Sequence, residues 1–419
     1  MSSSKILVAQ VGARKHYQEP LLFHQWGVLD TLYTDFYAND NWIFDILRYK
    51  YFDPYLPTYV KRLLDRYEPA LVGAKIKHFP ILAYNYSNRL KRLKDDGPAA
   101  TYIDVGRRLC QRIIQEGLGQ ADTVYGFNGG CLELFEYAKS KGIRCLLDQT
   151  LAERSYYYNL IGAEEEAWPN WTKVPLTITP AVQELIEREK QEQNLADQII
   201  CGSDFVKSSL VNRGIAEEKI TVVSLGRVKK LAAPSYQNHQ HHTLAPWKGR
   251  PEGLRILFAG SVELRKGIPY FLQALKKLKD KCAFTCKVAG SIKLNIAYLD
   301  QYSDVCQFLG RVPRSEMSGL YSWADVFVLP SLYEGSAMVT YEALQYGLPV
   351  ITTYNAGSIV RDGIGGQIIP MRDPDSITSA LLNLYSQGQA PDFLEKLRDL
   401  QKSVKEQAIN NFQQVVMGK

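Results

Sequence analysis

Short apolar runs alternate with longer segments of mixed polarity along the chain, and this alternation predicts an α/β protein. The first run, KILVAQV at residues 5–11, ends at Gly12 and precedes a helical pattern at residues 20–26. A strand, a glycine turn and a helix form the opening unit of an open parallel sheet. Further strands are expected at residues 123–127, 143–147, 198–201 and 219–223, with helices at 131–140, 181–195 and from Ser203 onward.

The alternation is more regular in the second half of the chain. Strands are expected at residues 255–260, 284–289, 305–309 and 325–329, with a last strand at 349–352 closing the series. Helices are expected between them at residues 268–281, 314–322 and 338–346. Strands and helices that alternate at this spacing predict a parallel sheet with helices on both faces.

A Pro-, His- and Asn-containing segment interrupts the pattern at residues 229–253, and we interpret it as a linker or insertion between two domains. Its histidines (His239, His241 and His242) lack companion Cys or carboxylate residues, which favours an exposed loop over a metal site. The prediction is therefore an α/β fold of two Rossmann-like domains, residues 1–228 and 254–389, with a helical tail at 390–419. Ligands bind at the carboxyl ends of such strands, so the two domains are expected to face each other across a cleft.

The composition is that of a globular protein, with 419 residues of which 46% are hydrophobic and 22% charged. No apolar stretch approaches the roughly 18–20 residues of a membrane-spanning helix, and no signal peptide is recognised. Seven scattered cysteines favour free thiols in a reducing compartment over disulfides. These features together predict a soluble, cytoplasmic protein.

The net charge of +6 is modest, but basic residues concentrate between Lys61 and Lys94, a stretch with nine basic and only two acidic residues. One interpretation is a pair of solvated helix faces. The other is a surface for anionic lipid head groups or an acidic acceptor, because leucines interleave with the basic residues at helical spacing. Nucleic acid is not expected as a partner, since the rest of the chain is near neutral.

Two loops at predicted strand ends carry the candidate chemistry. The first, GSVELRKG at residues 260–267, places Arg265 and Lys266 just before a helix begins. A helix start offers unpaired N–H groups and the positive end of the helix dipole, which together with two cations makes a diphosphate site. The alternative is a surface turn with two solvated cations.

The second loop follows the strand at 325–329. Glu334 precedes the next helix, Gly335 allows close approach of a ligand, and Glu342 lies about one turn inside the helix. The helix start exposes further backbone N–H groups, which are expected to point outward from Ser336, Ala337 and Met338. Carboxylates beside an anion site suit a polyhydroxylated ligand with a diphosphate bridge, as in a nucleotide sugar. The alternative is a capping acid and an ordinary helix-surface acid.

These residues resemble the signature of the family-four retaining glycosyltransferases of the GT-B fold, the glycosyl transferases group 1. The resemblance rests on the Glu334-x7-Glu342 pair with Gly335, on the Gly347-x-Pro349-Val350 turn and on the upstream Lys266-Gly267 loop. The stretch at residues 196–207 is also similar to the end of the family's N-terminal domain. The resemblance is specific from about residue 196 to residue 375.

The resemblance implies a role for each matching residue. Lys266, with Arg265 beside it, would contact the donor diphosphate, Glu334 the hydroxyls of the transferred sugar, and Glu342 the nucleotide ribose. The backbone of residues 335–338 would hold the phosphates or the sugar, and Gly12 would approach the diphosphate from the first domain. It also implies no bound metal, because cations and helix dipoles neutralise the leaving group, and retention by front-side attack.

The sequence departs from the family pattern at several positions. Ser261, a donor-site position, stands where many members carry Arg, and Arg265 is the candidate to supply that charge. Many members carry a His in the middle of the N-terminal domain, where Gln149 is the nearest candidate here. His16 in the first loop is a further candidate cleft residue.

The predicted function is therefore metal-independent sugar transfer, of the hexosyltransferase type, from a nucleoside diphosphate sugar to an unknown glycan, lipid or small-molecule acceptor. No cofactor beyond the donor is expected, and the resemblance implies polysaccharide or glycoconjugate biosynthesis. Peripheral contact with a membrane through residues 61–94 is also predicted, as one interpretation of the basic stretch. Alternatives are another GT-B enzyme (an epimerase or phosphorylase), a non-catalytic nucleotide-sugar-binding protein, and an adaptor acting through the basic stretch.

Overall fold

The computed structural model describes residues 4–38, 60, 63–92, 97–226 and 247–418. Two seven-stranded sheets organise these residues, and all strand pairs within the sheets are parallel. The first sheet has the order β3-β2-β1-β4-β5-β6-β7. Its strands are β1 Ile6–Gln10, β2 Leu29–Thr34, β3 Ile76–His78, β4 Thr123–Phe127, β5 Arg144–Gln149, β6 Gln198–Cys201 and β7 Ile220–Val222.

The second sheet has the order β10-β9-β8-β11-β12-β14-β13, which matches the first except that its last two strands are exchanged. Its strands are β8 Leu254–Ala259, β9 Phe284–Ala289, β10 Gln307–Gly310, β11 Val326–Leu329, β12 Val350–Thr353, β13 Arg361–Asp362 and β14 Gly365–Ile369. In both sheets the chain reverses its direction of winding beside the first strand. Ligands of open α/β sheets bind at this position, outside the carboxyl ends of the strands.

Helices cover both faces of the sheets, as parallel strands require. They are α1 Gln18–Gln25, α2 Pro80–Arg92, α3 Ala99–Glu116, α4 Leu132–Ser140, α5 Arg154–Ala167, α6 Pro180–Leu195, α7 Asp204–Asn212, α8 Ile268–Leu278, α9 Ile296–Asp300, α10 Arg314–Trp323, α11 Met338–Gln345, α12 Pro374–Gln387 and α13 Phe393–Met417. Strand β1 is buried along its whole length, because Ile6 and Val8 pack in one apolar cluster and Leu7 and Ala9 in another. The predicted α/β fold of two Rossmann-like domains is confirmed. The exact domain boundaries stay predictions, and most of the proposed linker, including its histidines, lies outside the described residues.

The expectation that residues 349–352 close the second sheet is wrong. β14 pairs with β12, and β13 pairs with β14. β14 begins with two glycines of positive φ, and a side chain on Gly366 would meet the carbonyl oxygen of Val350. These two glycines therefore mark a close approach of neighbouring strands.

The predicted C-terminal tail is the helix α13, and it returns to the first domain. The Phe412 ring lies 5.4 Å from the ring of Phe23 and 5.7 Å from that of Trp26. Arg144 also donates a hydrogen bond to the carbonyl of Val416. This helix therefore covers the face of the first sheet that α1 covers. No described helix is both long enough and apolar enough to span a bilayer.

A segment after α5 also crosses between the domains, in the opposite direction. We call residues 168–177 the strap. The amide of Asn295 donates to the carbonyl of Trp171, and Thr172 forms an antiparallel bridge with Leu294. The Trp171 ring stacks on Tyr298 with 5.5 Å between centroids. The strap therefore belongs to the first domain by connection and packs against the second.

Candidate functional site

The loop between β8 and α8 lies directly on the loop that follows β11. It forms a short 3-10 turn, Leu264–Lys266, ending at Gly267 with φ +69°. A Cβ atom on Gly267 would lie 2.1 Å from the carbonyl oxygen of Pro330. Only glycine satisfies both the left-handed backbone and this contact. Gly267 thus allows the two predicted loops to meet.

Where the loops meet, two cations converge on one carboxylate. Lys266 and Glu334 are buried, with 7% and 8% of their surfaces exposed. The Nζ atom of Lys266 contacts Oε1 of Glu334, and Nη1 of Arg265 lies 3.0 Å from the same oxygen. The sequence interpretation requires Lys266 and Glu334 to share a groove, and the structure brings them together. The binding roles of these residues remain predictions.

Arg265 is held by more than this ion pair. Its guanidinium also donates to Glu263 at 2.6 Å and to the carbonyl of Tyr333 at 3.0 Å. Burial alone would lower the pKa of Arg265, but Glu334 and Glu263 outweigh it and raise the pKa above its ordinary value. Burial likewise tends to raise the pKa of Glu263, yet Arg265 and Lys293 bring it below its ordinary value. Arg265 and Glu263 therefore stay charged, and Arg265 points toward Glu334.

The start of α11 differs in one respect from the prediction. The amide of Ala337 donates to the carbonyl of Ala356 and is not directed outward to a ligand. The side chain of Ser336 donates to the hydroxyl of Tyr341 at 3.0 Å. Met338 is the first residue of the helix, and no side chain caps it. The expectation for Ala337 is thus wrong, because the loop after β12 already occupies its N–H.

Glu342 lies one turn inside α11 and is partly buried. It accepts a hydrogen bond from the hydroxyl of Tyr321 at 3.0 Å and lies 3.4 Å from Arg314. Burial raises the pKa of Glu342, although these two partners oppose the shift. The carboxylate is positioned by neighbouring side chains, which an ordinary helix-surface acid would not require.

The Glu334 loop forms part of the domain interface. A Cβ atom on Gly335 would lie 1.8 Å from the carbonyl oxygen of Thr150. The hydroxyl of Ser203 donates to the Gly335 carbonyl, and that of Tyr333 donates to Ala152. Gly335 therefore serves close packing between domains, and a ligand at Glu334 would lie beside the first domain.

In the first domain, the loop after β1 combines a glycine turn with a buried charge network. The amide of Gly12 donates to Asp35 at 2.7 Å, and three consecutive residues, 15–17, have positive φ. Lys15 bridges Asp148 at 2.6 Å and Glu19 at 3.0 Å. Burial raises the pKa of Glu19, with Lys15 opposing the shift. This network was not predicted from the sequence, although Lys15 and Glu19 stand four residues apart, a spacing typical of helical ion pairs.

The remaining candidates are placed as follows. Ser261 is partly exposed in the first loop, and His16 is exposed beside Lys15. Gln149 is fully buried, donates to the Leu151 carbonyl at 3.0 Å and accepts from Gln193 at 3.1 Å. The amide of Gln149 is thus committed inside the first domain. The seven cysteines are unpaired thiols, and no metal-binding cluster of three or more His, Cys, Asp or Glu occurs within the described part of the chain.

Comparison with known proteins supports the family resemblance of the second domain. Residues 253–387 match the family described as Glycosyl transferases group 1. Both candidate loops lie inside this range, so the resemblance seen in the sequence motifs is confirmed for the second domain.

Curated relatives match a larger part of the chain. A D-inositol 3-phosphate glycosyltransferase of Paenarthrobacter aurescens is 27% identical over 227 residues, 50% of this chain and 55% of that protein. An amylovoran biosynthesis glycosyltransferase of Erwinia amylovora is 27% identical over 195 residues, 43% of this chain and 45% of its own length. The matched segment thus spans about half the length of these relatives.

The likeness to solved structures extends over nearly the whole chain. The Anabaena protein HepE, solved in complex with UDP-glucose, covers 97% of this chain and 99% of its own, with a TM-score of 0.57 and 12% identity. This likeness concerns the fold alone. Together with the two parallel sheets, it confirms the predicted GT-B architecture.

Proposed function

We propose that this protein is a glycosyltransferase that transfers a sugar from a nucleoside diphosphate sugar to an acceptor, with retained anomeric configuration. One observation carries the proposal: Lys266 and Arg265 meet Glu334 at a buried position inside the segment that matches the glycosyltransferase family. Two fixed cations suit a diphosphate, and a neighbouring carboxylate suits sugar hydroxyls. HepE in complex with UDP-glucose is a solved example of this fold with a nucleotide sugar.

The largest catalytic contribution would be electrostatic. The bond between the sugar C1 and the diphosphate oxygen breaks, and negative charge develops on the leaving group beside Lys266 and Arg265. The acceptor oxygen bonds to C1 on the same face, and its proton passes to the departing phosphate oxygen. Front-side attack of this kind requires no separate general base. Closure of the two domains would keep water from competing with the acceptor.

We further propose that transfer needs no resident metal, since cationic side chains would neutralise the leaving group. Full activity in the presence of EDTA is the expected result. Loss of activity in EDTA that Mg²⁺ or Mn²⁺ restores would contradict this part of the proposal.

A thermal-shift screen against UDP-, GDP- and ADP-sugars tests donor binding, because ligands of the native state raise the melting temperature. One donor class is expected to stabilise the protein, and absence of any shift would argue against the proposal. Incubation of that donor, labelled in its sugar, with candidate acceptors then separates the alternatives. A transferase gives a glycosylated product of unchanged anomeric configuration, an epimerase gives a changed nucleotide sugar, and a binding protein gives no product.

We also propose peripheral membrane contact through α2. Of this helix only Ala83 is buried, Ile81 and Tyr84 are 78% and 67% exposed, and its last turn carries Arg89, Lys91 and Arg92. Exposed apolar residues beside cations are typical of helices that bind anionic lipid surfaces. Lys61, Arg62 and Lys94 of the predicted basic stretch lie outside the described residues.

Sedimentation with vesicles tests this contact. The protein should bind vesicles that contain phosphatidylglycerol more tightly than vesicles of pure phosphatidylcholine. An Ile81→Ser/Tyr84→Ser variant should lose this binding, whereas Val72→Ser, which alters another exposed apolar residue (61%), should keep it. Equal binding to both vesicles would exclude the proposed contact.

A further inference from the structure

A large pocket lies between the strap and the first loop of the second domain. Its volume is about 710 Å³, and its walls come from the start of α3, from α5, from the strap and from residues 263–265 and 292–294. We call it the strap pocket. Glycosyltransferase activity, the proposed function, is the premise for assigning an occupant to this pocket.

The strap forms a fixed wall of this pocket. Trp168 packs edge-on against Tyr270 with 5.4 Å between ring centroids, in addition to the Trp171 contacts described above. Glu165 accepts hydrogen bonds from the amide of Leu176 at 2.9 Å and from the hydroxyl of Thr172 at 3.1 Å. Both ends of the strap are thus attached, so the pocket does not depend on a loose loop.

The lining of the strap pocket is mainly apolar. Tyrosines and aliphatic residues from both domains contribute, namely Tyr102, Tyr157, Tyr158, Ile161, Leu185 and Leu294. At its mouth the strap presents Val174, which is 80% exposed. The apolar surface thus extends from the mouth into the interior of the pocket. This shape suits an elongated apolar group, because such a group would cover both the mouth and the interior and remove them from water.

The charges around the strap pocket are predominantly positive. Four cations line it (Arg154, Lys173, Arg265 and Lys293) against the two acids Glu165 and Glu263. Both acids are engaged: Glu263 binds Arg265 and Lys293, and Glu165 binds the strap itself. Arg154 and Arg265 are also paired, with Glu189 and Glu334 outside the lining. Lys173 donates to the Ile292 carbonyl at 3.4 Å and has no carboxylate partner among the described residues. An anionic group at the mouth would complement the charge of Lys173.

The strap pocket also adjoins the candidate active site. Arg265 lines the pocket and lies 3.0 Å from Glu334. The ring of Tyr157, another lining residue, lies 5.1 Å from that of Tyr333. We infer that the strap pocket binds the acceptor, and that the acceptor is amphipathic, with an apolar chain and an anionic group such as a phosphate.

Binding of simple amphiphiles tests this inference on the full-length protein. Octyl phosphate, below its critical micelle concentration, is the probe, and octyl glucoside and inorganic phosphate are the comparisons. We expect octyl phosphate to bind at least about tenfold more tightly than either, because it combines chain burial with a charge-assisted contact. Equal affinity for octyl glucoside would exclude the anionic group, and equal affinity for inorganic phosphate would exclude the apolar chain.

Matched variants locate the binding. Val174→Asn should weaken octyl phosphate binding about fivefold, whereas Val72→Asn, at an exposed site outside the pocket, should not. Lys173→Ala should weaken octyl phosphate about fivefold without affecting octyl glucoside. Lys248→Ala is its control, since Lys248 is exposed and also donates to a backbone carbonyl, that of Ser386. Equal effects of a variant and its control would overturn the assignment of the pocket.

Nucleoside diphosphate binding, measured on the same samples, separates the two proposals. All four variants should bind it like the unaltered protein, because none lies in the donor loops. Failure of every nucleoside diphosphate to bind, with octyl phosphate still bound in the pocket, would reject the proposed function and leave an amphiphile site. Normal nucleotide binding without octyl phosphate binding would reject the acceptor pocket alone.

Discussion

Replacing Lys266 by alanine removes the ammonium group that lies against Glu334, and we expect it to weaken nucleoside diphosphate binding. Lys266 is 7% exposed, so a contact between its ammonium and a phosphate would form in a partly desolvated position. Charge-assisted hydrogen bonds contribute about 1.5–3 kcal/mol. Glu334 competes with the ligand for this ammonium, and Arg265 remains as a second cation, so both extend the expected loss below the lower limit of that range.

The expected loss is thus about 1–3 kcal/mol, or about 5- to 150-fold in the dissociation constant. Isothermal titration calorimetry measures it, with the nucleoside diphosphate that gives the largest thermal shift. The variant should fold, because Arg265 still lies 3.0 Å from Glu334 and keeps that buried carboxylate paired.

Lys276→Ala is a suitable control for this measurement. It removes one positive charge from the same domain, at a site on α8 where Lys276 pairs with Asp304 at 2.6 Å. Its affinity for the nucleoside diphosphate should change less than twofold. If Lys266→Ala also changes affinity less than twofold while remaining folded, Lys266 does not contact the diphosphate, and the assignment of the first loop is refuted.

Three further predictions concern the second loop and the first domain. Glu334→Gln should lower the transfer rate about a hundredfold while changing nucleotide affinity only a few-fold, since we propose that the lost charge faces the sugar; equal losses in kcat and in calorimetric affinity would contradict this role. Gly335→Ala should lower the free energy of unfolding in urea by about 2 kcal/mol or more, because its methyl group would meet the Thr150 carbonyl, whereas Gly162→Ala, in an open helical position, should be neutral or stabilising. In the first domain, burial raises the pKa of the Glu192 carboxyl from 4.5 to about 7, although the backbone N–H groups of Gly129 and Cys131 donate to it and oppose this shift. The folded state therefore binds this proton more tightly than the unfolded state, and stability should fall as pH rises from about 4.5 to 7. The urea midpoint should fall less with rising pH in Glu192→Gln than in the unaltered protein. Parallel pH profiles of the two proteins would disprove the raised pKa of Glu192.

Local pattern was sufficient to predict much of the fold. The strand Phe284–Ala289 has the predicted limits, and the helix predicted from Ser203 onward begins there, with the Ser203 hydroxyl accepting from the Val206 amide. Buried parallel strands and helix caps depend on residues only a few positions apart, so their sequence signals are strong. By contrast, α3 was not predicted, although Ile103, Cys110 and Ile113 recur on one buried face.

The two candidate loops were recognised because each keeps its chemistry within a few residues. Glu334, Gly335 and Glu342 stand within nine positions, and Arg265 and Lys266 are adjacent. Helix dipoles and charge then indicate an anion site without any knowledge of distant contacts. The expectation for Ala337 was wrong for the opposite reason, since the carbonyl that binds its amide lies on another loop.

Contacts between residues far apart in the sequence are seen only in the folded structure. Glu334 meets Lys266 across 68 positions, Lys15 meets Asp148 across 133, and the strap meets the second domain across more than 100. Patterns along the chain determined the elements and the residue types at each loop, because these follow from short-range sterics, burial and capping. The tertiary structure decided which loops meet, which N–H groups remain available and where the strap pocket lies. These features depend on packing between elements that are far apart in the sequence, and separation in sequence does not indicate distance in space.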